Sequence, residues 1–397
     1  MKLVQFGAGN IGRSFIGQVF SRAGWEVVFV DVDERLVKLL NEEQYYTVVI
    51  KREGKADEAR RIGPVRAVDG RNAEAVAAEL AGADLAATSV GKNALPKVVP
   101  VIASGIAIRP PARPLDIIIA ENDRQAPALF RSVLSAKLGP EFPLDSQVGL
   151  VETSIGKMAP IMKAADLAVD PLLLFAEEYE TLIVDKMGFR APLPDIPAIF
   201  PVDPIAAYVD RKLFIHNLGH AAAAYLESKA ALTIPEVLAL PKAEESVRQA
   251  MDEAADALIL EYPSGCYSRK DLAGHIEDLL FRFKNRSLGD TVHRVGRDLR
   301  RKLAREDRVT GAMLLCAKHN LPFKGIAKVY RAALDFSVPA EDGVLFPPDE
   351  EFRKEYEPYG NKLEQILKEV SGLDCSRPMD SLVIKEILAV GTKTSKN

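Results

Sequence analysis

Cysteine is scarce in this chain: three residues, Cys266, Cys316 and Cys375, in 397. Their wide spacing excludes a disulfide framework and a cysteine metal knuckle. We expect three reduced thiols in a cytoplasmic protein. Histidine is equally sparse. His216, His275, His293 and His319 show no ligand spacing and read as structural. Long apolar runs are missing too. The longest uncharged one, Val98 to Ile108, falls far short of the roughly 20 residues a membrane helix needs. Neither sign of charge dominates, with 52 Lys and Arg against 56 Asp and Glu. That balance argues against nucleic acid or another polyanion as partner. The start, MKLVQFGAGN, runs straight into a glycine turn, and we expect no signal peptide. No internal repeat or low-complexity tract stands out, which leaves an ordinary globular chain long enough for two domains.

What is present begins with alternating strand and helix patterns. Lys2 to Phe6, Glu26 to Val30, Asp84 to Thr88, Asp116 to Ala120 and Gln147 to Val151 read as buried, β-branched strands. Helical segments intervene, near Ala73 to Leu80, Ala94 to Ile102 and Arg124 to Leu138. This rhythm implies a parallel sheet with right-handed crossovers. Arg109 to Pro114 (RPPARP) reads as a loop. Pro192, Pro194, Pro197, Pro201 and Pro204 form a proline-spaced linker in which a regular element is not expected. From Ile205 onward the pattern is mostly helical. The expected fold is therefore an α/β, Rossmann-type dinucleotide-binding domain (1–195) followed by a mostly α-helical domain (196–397).

Gly7-Ala-Gly9-Asn10-Ile11-Gly12 fits G-x-G-x-x-G between a strand and a helix, the context that motif requires. The glycines permit a tight turn, close approach of a pyrophosphate and close helix–strand packing, and the helix N-terminus faces the phosphates. Asp31 ends the second strand, where a carboxylate accepts from the adenosine ribose and repels a 2′-phosphate, which favours NAD over NADP. Ser89 and Val90 follow a later strand at the same sheet edge and join Gly7, Gly9, Asn10, Ile11, Gly12 and Asp31 as candidate cofactor contacts. A flavin, which uses the same fingerprint, is the rival ligand.

The second chemical signal is Asp210-Arg-Lys-Leu-Phe-Ile-His-Asn-Leu-Gly-His220. On a regular helix Lys212, Asn217 and His220 fall within an arc of about 140°. Oxidising a secondary alcohol needs a base for the hydroxyl proton and a donor for the developing alkoxide. A desolvated lysine serves as the first and an asparagine as the second, while the histidine orients the substrate. The same residues also fit a solvated lysine, a capping asparagine and a core histidine. Tyr208 and Lys212 match Y-x3-K, but beyond the linker we read Tyr208 as a core aromatic.

GAGNIGRSFIG and RKLFIHNLGHAAAAYL, with VDKMGFRAPLPDIP, LFRFKNRSLGD and VHRVGRDLRRKL, resemble the long-chain polyol-specific (mannitol) dehydrogenases along nearly the whole chain. The resemblance implies a metal-independent, NAD-linked oxidoreductase. It places the lysine base on Lys212, alkoxide-binding asparagines on Asn217 and Asn122, and the substrate-binding histidine on His220. Arg294 and Lys302 become the polyol-holding pair. Arg297, within a cluster of arginines from 294 to 308, is our candidate for a sugar phosphate, because guanidinium forks bind phosphate bidentately. The expected substrates are mannitol 1-phosphate and fructose 6-phosphate, and the expected form is a monomer or small homo-oligomer. Two features keep alternatives open. Where the family reads V-D-R-I-x-P, this chain has Ile155-Gly156-Lys157-Met158-Ala159-Pro160, with Glu152, Thr153 or Ser154 as possible compensation. A carboxylate substrate also suits the basic segment. A free-polyol dehydrogenase, a fructuronate or tagaturonate reductase, and an NAD-binding regulator with a decayed polyol site are the alternative readings.

Overall fold

The computed structural model describes residues 1–110, 113–160, 162–227 and 233–391. Pro111 and Ala112 of the expected RPPARP loop lie outside the described residues. The chain divides into two compact units, Met1–Tyr208 and Val209–Asn397.

Among the described residues the first unit contains eleven strands: β1 Lys2–Phe6, β2 Glu26–Asp31, β3 Tyr46–Ile50, β4 Glu58–Ile62, β5 Val65–Asp69, β6 Leu85–Thr88, β7 Leu115–Ile119, β8 Val148–Ser154, β9 Leu174–Ala176, β10 Leu182–Asp185 and β11 Ile199–Val202. Eight of them form one sheet in the order β11-β10-β8-β7-β6-β1-β2-β5. From β5 to β8 every pairing is parallel, the doubly wound arrangement that alternating strands and helices predict. Alternate residues feed opposite faces. In β2, Val27 and Phe29 enter one core while Val28 and Val30 enter the other. Both faces are covered, which is why these strands read as unbroken apolar runs.

Two expectations are corrected at the far edge. The sheet is not wholly parallel: β10 runs antiparallel to β8 and carries β11 parallel to itself. The proline-spaced segment is also not free of regular structure, since β11 contains Pro201. An edge strand tolerates proline because its missing N–H costs no ladder bond on the outer side. This pairing draws 199–202 into the first unit, so the division falls after Tyr208 rather than near 195. A small sheet, β4-β3-β9, was not legible, because Glu58–Ile62 (EARRI) is too charged to read as a strand.

The second unit is mostly helical. Its central element is the helix Pro241–Glu261, which buries Ala243, Val247, Ala250, Met251, Ala254, Ala255 and Leu258 at helical spacing. It contacts the helices Leu218–Leu226, Arg269–Phe283, Thr310–Lys318 and Lys324–Leu334. The first of these presents a buried run, Ala221 to Ala224, whose small side chains let the backbones approach. Among the described residues no helix is long and apolar enough to cross a membrane.

Candidate active site

The glycine turn follows β1 directly. Gly7 has φ +88°, a backbone region open to glycine, and a Cβ there would lie 2.6 Å from the Ser89 carbonyl oxygen. A Cβ on Gly12 would lie 2.0 Å from the Gly7 carbonyl oxygen, so the helix packs against the turn only with glycine there. Gly9 differs. An added Cβ meets nothing within 4 Å, leaving the turn open where a pyrophosphate would approach. The helix then passes through a π-helical turn, Gly12–Gly17, before the α-helix Gln18–Arg22.

Side chains around the turn fix its shape. The Asp31 carboxylate accepts from the Ala8 N–H at 2.7 Å and the Asp33 N–H at 3.0 Å. It thus holds the turn from the end of β2, and each oxygen keeps further acceptor capacity for a ribose hydroxyl. Asn10 donates to the Pro160 carbonyl at 3.0 Å, tying the 155–160 loop to the turn. Gln5, fully buried, donates to Ser89 Oγ at 3.0 Å and to the carbonyls of Phe6 and Gly7. The Val90 and Gly91 N–H groups donate to the two carboxylate oxygens of Glu121, at 2.9 and 2.8 Å. Burial pushes the Glu121 pKa up, against the pull of those two backbone bonds. Asn122, next in sequence, is exposed after the carboxyl end of β7. Sequence reasoning named Asn122 and missed Glu121 and Gln5, whose roles come from burial and backbone contacts that no motif records.

The 155–160 loop accounts for part of the departure from the family pattern. Lys157 is buried, donates to the Tyr179 carbonyl at 2.9 Å and lies 5.6 Å from the Phe15 ring centroid. A Cβ on Gly156 would sit 3.5 Å from the Tyr179 ring, an ordinary contact. Of the three residues considered as compensation, Thr153 and Ser154 turn their buried hydroxyls to the carbonyls of Ile119 and Tyr208, both at 2.9 Å. Glu152 remains, half-buried, with its pKa raised by desolvation and then by Asp185. Tyr208 is buried with its ring edge toward Phe200, as a core aromatic should be.

The helix Ile205–Arg211, within which the division of the chain falls, runs into a π-helical turn, Lys212–Asn217, before Leu218–Leu226. The regular-helix arc therefore needs correction. In a π-turn the hydrogen bonds run i→i+5, so residues five apart come nearly over one another. Lys212 and Asn217 are such a pair, and the turn brings them closer around the helix than an α-helix would. Burial of the ammonium and the nearby Arg308 charge lower the Lys212 pKa to about 8. His220 is stacked on Phe283, with ring centroids 4.6 Å apart and planes 8° from parallel. Its Nε2 lies 3.2 Å from Oδ2 of the buried Asp290, whose other oxygen takes the Arg294 guanidinium. His216 is buried beside Phe283 and His220, and burial, followed by the Arg282 charge, holds its pKa well below the ordinary value.

The basic segment sorts itself by partners. Arg300 pairs with Glu355, Arg301 with Asp298 and Asp307, Arg305 with Asp380, and Arg308 with Asp307. Arg297 has no carboxylate partner among the described residues; its guanidinium lies 5.2 Å from the Phe346 ring centroid. Lys302 is buried and donates to the backbone carbonyls of Val295 and Arg297, the latter at 2.5 Å. His293 Nδ1 contacts the Val338 carbonyl and His319 Nε2 contacts Glu261, both at 2.8 Å. Among the described residues no group of histidine, cysteine and carboxylate side chains is arranged to hold a metal.

A doubly wound sheet with an open glycine turn, joined to a helical unit carrying a desolvated lysine, defines the class of dinucleotide-binding dehydrogenases. Comparison with known proteins narrows this. Residues 1–198 match the mannitol dehydrogenase Rossmann domain and residues 204–383 the mannitol dehydrogenase C-terminal domain. The chain belongs to the mannitol dehydrogenase family, and it is a polyol dehydrogenase. It is 32% identical to mannitol-1-phosphate 5-dehydrogenase of Bacillus subtilis (strain 168) over 98% of this chain and 100% of that one. It is 36% identical to the enzyme of the same name from Arthrobacter sp. (strain FB24), over 86% and 88%. Among solved structures, a ternary complex of Pseudomonas fluorescens mannitol 2-dehydrogenase with NAD and D-mannitol superposes with a TM-score of 0.76. It shares 15% identity, over 98% of this chain and 91% of that one. A substrate-free D-sorbitol dehydrogenase gives the same TM-score at 16% identity, over 98% and 93%.

Proposed function

We propose that the protein interconverts mannitol 1-phosphate and fructose 6-phosphate with NAD as the partner oxidant, Lys212 acting as general base in one direction and general acid in the other. The observation that carries this reading is Lys212 itself. It opens a π-helical turn shared with Asn217, and its pKa is lowered to about 8 by burial and Arg308. An ordinary lysine is almost wholly protonated at neutral pH and accepts nothing, whereas one near 8 is divided between base and acid.

The residues of the glycine turn fit NAD. Gly9 leaves the pyrophosphate approach open and Asp31, at the end of β2, keeps acceptor capacity for the ribose. When bound, NAD supplies the acceptor for the hydrogen leaving the polyol carbon with its electron pair. The chain supplies the rest. Neutral Lys212 takes the hydroxyl proton, Asn217 donates to the oxygen as negative charge develops, and His220 and Arg294 hold the polyol. In the reverse direction the Lys212 ammonium returns the proton to the carbonyl oxygen. Arg297 is assigned to the phosphate, since every other arginine from 294 to 308 is spent on a carboxylate.

The test is NADH consumption with fructose 6-phosphate, fructose, fructuronate and tagaturonate, repeated with NADPH. Activity confined to fructose 6-phosphate with NADH is expected. Activity confined to an unphosphorylated ketose or a uronate would keep the lysine chemistry and replace the substrate. NAD binding without turnover on any of them would favour a binding protein.

A further inference from the structure

Asp290 lies among the residues that the site reading uses, yet no motif assigns it a task. We propose that Asp290 is a positioning residue whose carboxylate sets the geometry of His220 and Arg294 together. The inference rests on the reading that those two side chains hold the substrate.

Asp290 is 4% exposed, and a carboxylate at that depth persists when its oxygens have partners. Both oxygens are directed to site residues. Oδ1 accepts from Nη2 of Arg294, four residues on, and Oδ2 lies 3.2 Å from Nε2 of His220. The usual structural duties of an aspartate here belong to other groups. Thr291, not Asp290, caps the helix Val292–Gly296, accepting from the Arg294 N–H at 3.1 Å. The Asp290 backbone carbonyl, not its side chain, accepts from the Ile234 N–H at 2.9 Å. The carboxylate is therefore left to the two side chains.

The His220 ring needs two constraints to be fixed, one on its plane and one on rotation within that plane. Phe283 supplies the first by near-parallel stacking at 4.6 Å. Asp290 acts on the second through its charge: Oδ2 lies 3.2 Å from Nε2 without hydrogen-bond geometry, and the carboxylate attracts a proton to that nitrogen. Arg294 is drawn to the same carboxylate from the following helix. Acceptors behind metal-ligating side chains are commonly worth about 10- to 100-fold in affinity or activity, and the same orienting effect is expected behind a substrate-holding side chain.

The experiment is a set of double-mutant cycles for fructose 6-phosphate reduction. Asp290→Asn keeps the side-chain shape and removes the charge. We expect it to raise KM by about 10-fold or more, to change kcat less, and to leave NADH affinity measured by fluorescence quenching within about twofold of the starting protein. Added to His220→Ala or to Arg294→Gln, it should cost much less than it does alone, because it acts through them. Asp290→Asn alone leaves a half-buried guanidinium without its counter-charge. If that variant fails to fold, Asp290→Asn/Arg294→Gln compared with Arg294→Gln carries the test through His220. Full additivity with both partners, or a lowered melting temperature at unchanged KM, would overturn the proposal. If His220→Ala and Arg294→Gln each leave KM unchanged, the site reading itself fails and takes this inference with it. If they raise KM while Asp290→Asn does not, only the positioning role falls.

Discussion

The Lys302 ammonium donates to the backbone carbonyl of Arg297 at 2.5 Å, and also to that of Val295. These carbonyls close the helix Val292–Gly296, which carries Arg294. A cation at a helix C-terminus satisfies carbonyls that the helix leaves open. Lys302 thereby braces the segment that presents Arg294 and Arg297, whereas the family resemblance alone assigns it to the polyol. Lys302→Met retains the stem and removes both bonds. It should cost about 2 kcal/mol of stability, about 1 kcal/mol for each of the two bonds. A urea melt measures the loss, and KM for the sugar should rise with it. A large rise in KM with no change in the melt would return Lys302 to direct substrate contact.

Lys212 should leave its signature in pH. Its folded-state pKa is depressed from 10.5 to about 8, so the neutral base forms as pH rises through about 8. Polyol oxidation should increase up to that pH and then level off. Ketose reduction needs the ammonium and should decline above it. Arg308→Gln removes a neighbouring positive charge that helps lower this pKa, so both inflections should move upward. Lys212→Ala should lower turnover by roughly 100-fold or more at neutral pH. Profiles without an inflection between about pH 7 and 9 in either direction would reject Lys212 as the acid–base group.

Much of this was legible in the sequence because its strands are buried on both faces. Glu26 to Val30 is apolar at every position but the first, and the structure begins β2 at Glu26 and ends it at Asp31. The motif G-x-G-x-x-G needed only the strand before it and the helix after it. Legibility ended where tertiary pairing overrides local preference. Glu58–Ile62 is a strand because β3 pairs with it, and Ile199–Val202 is one despite Pro201 because it lies on an edge. The π-turn at Lys212–Asn217 has no local pattern of its own, since its sequence suits an α-helix equally well. The carboxylates behind the site, Glu121 and Asp290, were equally hidden. Each acts on groups distant in sequence, Val90 and His220, and only the fold brings them within reach.

Asp31 carries a prediction about the cofactor. Its carboxylate already holds the Ala8 and Asp33 N–H groups, and the NAD reading adds a ribose hydroxyl. Asp31→Ala should therefore weaken NADH by about 10-fold or more, the value of a hydrogen bond to a charged group. It should also narrow the gap between NADH and NADPH, because a negative charge no longer opposes the 2′-phosphate. Titrations with both nucleotides decide it. Equal weakening of NADH and NADPH would mean that Asp31 only shapes the turn.

Arg297 separates a phosphorylated substrate from a free sugar. Its neighbours Arg294, Arg300, Arg301, Arg305 and Arg308 are each neutralised by a carboxylate, and an arginine so paired offers less to a phosphate. Arg297 instead rests 5.2 Å from the Phe346 ring centroid, a contact that orients a guanidinium without cancelling its charge. Arg297→Ala should raise KM for fructose 6-phosphate by about 10- to 100-fold, the worth of one or two charge-assisted bonds. KM for fructose should change little. Arg297→Lys should recover part of the loss, because a point charge replaces a fork without its bidentate geometry. A matched rise for both sugars would place Arg297 on the polyol chain instead of the phosphate. No change in either would leave the guanidinium as a surface group stacked on Phe346.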